Sequence, residues 1–484
     1  MNELDLQTIS KRASRGFLSL TFRKAALLLI SYITNNLILA RILPVEVIGI
    51  FNISISVIAF FSYFSDIGLA AAIIQKRDKV TDEDLKTTFT IQLFLVGLIT
   101  AVIYLSAPFW ADLYKLDDKS MWLIRALAIS FFITSFKVIP SVTLERALKF
   151  GPLVSVDLFE TLVFNAGLIF LVKLGFGVDS FSIAAIARSI VGVLVIYSIA
   201  PWRPGVYFAK ASAKILLNFG IPFQLNSFLA LIKDRLVPLV VASFVGPLGI
   251  GYVTWAQNMA FIPLEIMNIV IRVSFPALSR LQSDKKALKE LLERSLFLTT
   301  LFLYPALFGI LALSPAIVEH VVSKKWTPAL TSIYLFSLST FWATLSTTFT
   351  NTLNAIGQIK TTLYLMAFWT ILTWILTIPL TYFYGFEGVA ISSALISFTS
   401  VITIILVKKH IEVEIIKNIW QPLLASLVMA LIVYLGAQIF VRDILSLVLL
   451  ILLGAIIYFV TVYSLAGNRV KSIAGDFKYA FDKK

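Results

Sequence analysis

The chain has 484 residues, 59% of them hydrophobic and 14% charged, with a mean hydropathy of +0.91. An ordinary soluble domain carries about a quarter charged residues, so this composition excludes a soluble enzyme, a disordered chain and a fibrous one. The formal net charge is +14 and there is no cysteine, which removes disulfides, thiolate catalysis and Cys-ligated metals.

A bilayer-spanning helix needs roughly 20 apolar residues. Apolar segments parted by short charged or Gly/Pro turns fall at 22–42, 46–73, 87–110, 121–143, 152–173 and 179–200. A second series falls at 214–244, 248–274, 296–319, 328–354, 361–384, 387–407, 420–440 and 444–465. The expectation is an all-α integral membrane protein of about fourteen transmembrane helices. The first segment reads as a retained span rather than a signal peptide, because no small-residue cleavage site follows Arg23 and Lys24.

Lys and Arg are unevenly shared between the two sides of such a layout. The N-terminus, the loops after even-numbered spans and the C-terminus hold 28 of the 41; the opposite loops hold 7. That bias predicts both termini, and the segment Asp284 to Glu293, in the cytoplasm, with Asp117 and Lys324 outside. It also accounts for the net charge as topogenic, so no nucleic-acid partner is expected.

The turn after the first span reads LARILPVEVIGIF from Leu39, and the turn after the seventh reads VASFVGPLGIGYV from Val241. Ala40, Ile48 and Gly49 match Ala242, Ile250 and Gly251 without a gap. IIQKRDKVTDEDLKTTF from Ile73 and RLQSDKKALKELLERSLF from Arg280 follow spans 2 and 8 in the same way. A six-span repeat keeps both halves in one orientation, the parallel-repeat plan of several transporters. The expected division is residues 1–205 and 206–410 as two lobes, with 411–484 holding two additional spans and a tail.

Three motifs read as structure. Asp82 to Asp84 after Thr81 is a capped helix N-terminus rather than a metal-binding acidic motif. GPLGIGY from Gly246 is a tight turn rather than a phosphate loop, and Gly49 and Gly251 are expected to be turn glycines. His320 and His410 have no carboxylate at metal-ligand spacing, so neither a metal centre nor a histidine acid–base site is expected.

Ionisable residues inside spans are costly and mark a cavity or a partner. The basic set is Arg125, Lys137, Arg188, Lys233, Arg235 and Arg272; the acidic set is Asp66, Asp157, Glu160, Asp234 and Glu265. Lys233, Asp234 and Arg235 stand together between Pro222 and Pro238, and Asn226 shares a helix face with Lys233. That helix is expected to line a cavity. Arg125 and Arg188 are weaker cases with a structural reading, and Arg272 is long enough to snorkel.

The stretch from Leu39 to Phe89 resembles the opening of the polysaccharide transporter family, the Wzx-type oligosaccharide flippases of the MOP flippase superfamily. RPGVYFAKASAKILLNFGIPF, LGIGYVTWAQNMAFIP, RVSFPALSRLQ and KKWTPALTSIYLFSLS resemble its later landmarks in the same order. The resemblance runs to about residue 400 and is weakest over the last two spans. It implies two six-helix lobes around a cavity, with two further helices. The implied function is the flipping of polyprenyl-pyrophosphate-linked oligosaccharide units from the cytoplasmic to the outer leaflet, for export of O-antigen, capsule or exopolysaccharide.

A pyrophosphate needs cations held in low dielectric; Lys233, Arg235 and Arg272 are the expected substrate-binding residues, with Lys137 a fourth. Asp66, Asp157, Glu160 and Asp234 are the candidates for coupling to a proton or sodium ion. No cofactor is implied. The implied partners are the lipid-linked oligosaccharide, membrane lipids, and polysaccharide polymerase and export machinery. The alternative is a MATE-like cation-coupled antiporter of drugs or small molecules. A membrane enzyme is disfavoured, because the longest outward loop, around Trp110 to Ser120, is too short to carry a catalytic site.

Overall fold

The computed structural model describes residues 27, 29–65, 67–76, 78, 80–225, 231–281 and 284–482. Among the described residues all regular secondary structure is helical, with no strand. Ten helices among the described residues are long and apolar enough to cross a membrane, eleven with one bent pair. Of the other predicted spans, the first is represented by α1, Leu29–Ile42, which is apolar but short.

The chain divides into two compact units, Met1–Gly251 and Tyr252–Lys484. In the first unit, α2 (Val45–Ser62) gives way to a break and then α3 (Leu69–Gln75). There follow α4 (Asp82–Tyr114), α5 (Asp118–Ser135), α6 (Val138–Arg146), α7 (Phe150–Lys173), α8 (Asp179–Ile199) and α9 (Lys210–Leu225). A π-helical turn, Ile232–Leu236, leads into α10 (Val237–Phe261). Its core lies where α8 packs on α5 and α7, with Leu39, Leu123, Leu168 and Phe181 almost wholly buried.

The acidic motif starts α4 as a capping box. Thr81 Oγ1 accepts from the Asp84 amide at 3.2 Å, and Asp84 Oδ2 accepts from the Thr81 amide at 2.9 Å. Asp84 also meets Lys76 Nζ at 2.6 Å. The acids are therefore spent on helix ends, as their spacing predicts.

Predicted spans 2 and 4 are both broken. Span 2 stops at the turn before Gly68, whose φ of 76° is left-handed. The break is tied to α9 in both directions: Tyr63 Oη donates to the Gln224 carbonyl at 2.6 Å, and Gln224 Nε2 donates to the Tyr63 carbonyl at 2.7 Å. Span 4 bends by 46° between α5 and α6. Pro140 has no N–H to offer the Phe136 carbonyl four residues earlier, and the Tyr197 hydroxyl donates to that carbonyl instead, at 3.2 Å.

Gly246 has φ 64° and ψ −173° inside α10, so the predicted turn is there. Gly49 and Gly251 are not turn residues, contrary to expectation: both lie within helices. A Cβ at Gly49 would stand 1.7 Å from the Pro247 carbonyl oxygen, and one at Gly251 would stand 2.4 Å from that of Val45. By the repeat Gly49 corresponds to Gly251 and Val45 to Pro247, so the two contacts are the same contact made twice. Each glycine exists to let backbone meet backbone. Gly49→Ala and Gly251→Ala are expected to cost about 1–3 kcal/mol each or more, as overpacked sites do, read as a lowered melting temperature of the purified protein. Wild-type melting in both variants would contradict the close crossing.

The second unit holds α11 (Leu264–Arg280), α12 (Lys285–Ala316), α13 (Leu330–Ala355), α14 (Ile359–Tyr384), α15 (Glu387–Phe398), α16 (Val401–Lys408), α17 (Ile415–Phe440) and α18 (Ile444–Asp482). α13 is long enough to span but rich in Ser and Thr. Thr340, Thr344, Thr348 and Thr352 each donate back to the carbonyl four residues earlier, which satisfies their hydroxyls within the helix. The last two spans are well integrated: α17 packs along α12 and α18 along α17, and the Tyr458 hydroxyl of α18 donates to the Leu301 carbonyl at 2.6 Å.

Candidate functional site

The bend between α5 and α6 sets Lys137 at the junction, where its side chain is 14% exposed. It forms an ion pair with Glu160 of α7, whose side chain is 6% exposed. The second carboxylate oxygen of Glu160 faces Arg188 Nε of α8 at 3.6 Å. The Arg188 guanidinium also lies 5.7 Å from the Phe164 ring centroid, and Phe51 stacks between Phe164 and Phe181. Three helices thus converge on one carboxylate.

Gly192 makes the arrangement possible. A Cβ there would sit 1.7 Å from Glu160 Oε1, so any other residue would push the carboxylate off α8. Asp157 lies three residues before Glu160, on the neighbouring turn of α7, and is exposed. Two cations therefore share the buried Glu160 carboxylate, with Asp157 in electrostatic reach of both, and Arg188, with its side chain 49% exposed, is the more accessible of the two.

Lys137, read from the sequence as substrate-binding, and Glu160, read as ion-coupling, belong to one ion pair. Lys233 and Asp234 lie in the π-helical turn Ile232–Leu236 and Arg272 lies in α11, with their side chains outside the described residues. Arg235, in the same turn, is exposed. Wide π turns are frequent at functional sites, and the first span also carries one, Ile33–Leu39, which the repeat places three residues further along than Ile232–Leu236. Asp66 lies outside the described residues.

Arg125 is held structurally: its guanidinium lies 5.0 Å from the Tyr104 ring centroid and its Nε donates to the Tyr104 carbonyl at 3.4 Å. Arg146, which periodicity did not single out, donates from Nη1 to the Ile73 and Ile74 carbonyls and from Nη2 to that of Asp78. It caps the C-terminus of α3. Among the described residues no group of three His, Asp or Glu side chains is placed to hold a metal.

The signature of the family described as "Polysaccharide biosynthesis protein" matches residues 38–331, more than half of the chain. The chain belongs to that family. The lipopolysaccharide biosynthesis protein WzxC of Escherichia coli (strain K12) is 25% identical over 300 residues, covering 60% of this chain and 59% of that protein. The teichuronic acid biosynthesis protein TuaB of Bacillus subtilis (strain 168) is 27% identical over 269 residues, covering 54% and 55%. The chain thus spans less than two thirds of the length of these relatives. Its fold is that of the lipid II flippase MurJ in an inward closed conformation, with a TM-score of 0.74 at 18% identity over 94% of this chain and 100% of the other. This family member is a multi-pass helical membrane protein.

Proposed function

We propose that this protein translocates polyprenyl-pyrophosphate-linked oligosaccharide units from the cytoplasmic to the outer leaflet of the cell membrane, by alternating access and without covalent chemistry. Family membership, the biosynthetic roles for which WzxC and TuaB are named, and the fold shared with a lipid flippase support the class of cargo. The observation that carries the reading is the cluster of Lys137, Glu160 and Arg188. It holds two cations among apolar helices beside Glu160 and Asp157, with Arg188 half-exposed, and such charges are retained where a cavity hydrates them or an anion visits them. A lipid pyrophosphate is such an anion.

Arg188 and Arg235, both exposed, are proposed to meet the pyrophosphate, and Lys233 and Arg272 are kept as further candidates; Lys137 holds Glu160 and acts through it. Coupling to a proton or sodium ion falls to Asp157, because the carboxylate of Glu160 is committed to two cations. Polysaccharide polymerase and export machinery are proposed as the downstream partners. The termini are proposed to be cytoplasmic, with Lys324 outside and Asp284 inside.

Reconstitution tests these points together. Vesicles holding the purified protein and a polyprenyl-pyrophosphate oligosaccharide are expected to move the glycan between leaflets. In cells, single cysteines placed at 324 and 284 of this cysteine-free chain should label from outside at 324 only. Labelling at 284 alone would reverse the orientation.

A further inference from the structure

Neither the repeat nor the cation cluster uses α17 and α18, yet these helices border an open cavity of about 470 Å³. It opens where α18 breaks at Ala466, whose φ of −138° and ψ of 26° are not helical. The break is held from α17. Gln421 Nε2 donates to the Leu465 carbonyl at 3.0 Å, and Arg469 Nη1 donates to Asn418 Oδ1 at 3.0 Å and to the Lys417 carbonyl at 3.4 Å. The Arg469 guanidinium lies 5.5 Å from the Phe297 ring centroid, and Lys471 Nζ lies 5.5 Å from that of Tyr463.

Three features of this cavity point to a ligand. Among the described residues its lining contains two cations, Arg469 and Lys471, and no carboxylate; the partners given for Arg469 are an amide, a carbonyl and a ring. Gln421 Oε1 is a buried acceptor without a hydrogen-bond partner, a costly state that a donor would relieve. The third is position. α18 is apolar through Ile444–Lys471, so the cavity sits at the end of a span, at headgroup depth. Trp420 and Tyr463 are exposed there, as interfacial aromatics are. Leu452, Ile456 and Phe459, also exposed, continue from Tyr463 along one face of α18 at helical spacing.

We propose that this cavity binds the headgroup of an anionic phospholipid. The phosphodiester lies between Arg469 and Lys471, a headgroup hydroxyl donates to Gln421 Oε1, and an acyl chain follows Phe459, Ile456 and Leu452. Basic pockets between membrane helices suit such headgroups, and the gain per cation corresponds to roughly five-fold in affinity. The site is built from α17 and α18, which carry none of the residues assigned to the cargo.

The test uses the full-length protein in neutral detergent, titrated with phosphatidylglycerol, phosphatidylcholine or inorganic phosphate and read by native mass spectrometry. Phosphatidylglycerol should be retained in preference to phosphatidylcholine. Lys471→Gln, which leaves the Arg469 contacts intact, should weaken that retention roughly five-fold, while Lys471→Arg keeps it. Inorganic phosphate should not displace the lipid at equal concentration, because it lacks the chain that lies on α18. Unchanged retention of phosphatidylglycerol by Lys471→Gln would overturn the proposal, and so would equal displacement by inorganic phosphate, which would make the ligand a free anion.

Discussion

Glu160→Ala is expected to destabilise the first unit by about 3–5 kcal/mol, the cost of stripping one partner from a buried ion pair. Glu160 and Lys137 are both largely buried, so removing the carboxylate leaves an ammonium without its counter-charge. The loss is of compensation, not of volume. A double variant, Lys137→Met with Glu160→Leu, should therefore recover most of the stability, since apolar replacement of a whole buried pair is often neutral. The melting temperatures of the single and double variants decide this. A double variant no more stable than Glu160→Ala would show that packing around Gly192, rather than charge, is what Glu160 supplies.

Arg188→Gln and Arg235→Gln are expected to lower glycan export by roughly ten-fold or more each, since a hydrogen bond to a charged group contributes about 1.5–3 kcal/mol. Both side chains are exposed, so the protein should remain at its normal level in the membrane. Arg→Lys at either position should retain part of the activity, because a single positive charge still meets the phosphate while the two-pronged geometry is lost. Export is measured as surface polysaccharide, normalised to the amount of protein in the membrane. Full export in a double Arg188→Gln, Arg235→Gln variant would remove these two cations from the cargo site.

Much of the architecture was readable because a bilayer imposes a coarse requirement: about 20 apolar residues for each crossing. Capping at Thr81 and the turn at Gly246 were also readable, since each depends on a few adjacent residues. The breaks were not. The bend at Phe136 depends on Pro140 four residues later and on the hydroxyl of Tyr197 from another helix, and no local pattern links the two. The ion pair escaped for the same reason. Lys137 and Glu160 lie in different helices, and linear spacing sorted them by sign, one to the substrate and one to the coupling ion. Gly49 and Gly251 were matched by the repeat but read as turn residues. The need for glycine comes from a backbone 198 or 206 positions away in the sequence, where Pro247 meets Gly49 and Val45 meets Gly251. The sequence did expose the triplet at Lys233 to Arg235, because three charges in an apolar run stand out wherever the helix lies.

Movement of a defined lipid-linked oligosaccharide across a protein-bearing vesicle is the most direct measurement of the central claim. A fluorescent polyprenyl-pyrophosphate oligosaccharide is placed in both leaflets, and a membrane-impermeant reagent modifies only the glycans facing outward. With the wild-type protein, glycans from the inner leaflet should become reactive well beyond the fraction that is reactive in protein-free vesicles. The Arg188→Gln, Arg235→Gln protein, reconstituted in equal amount, should stay near the protein-free level. If the wild-type protein leaves the inner pool protected under every ion gradient applied, the cargo is not a lipid-linked oligosaccharide and the account fails.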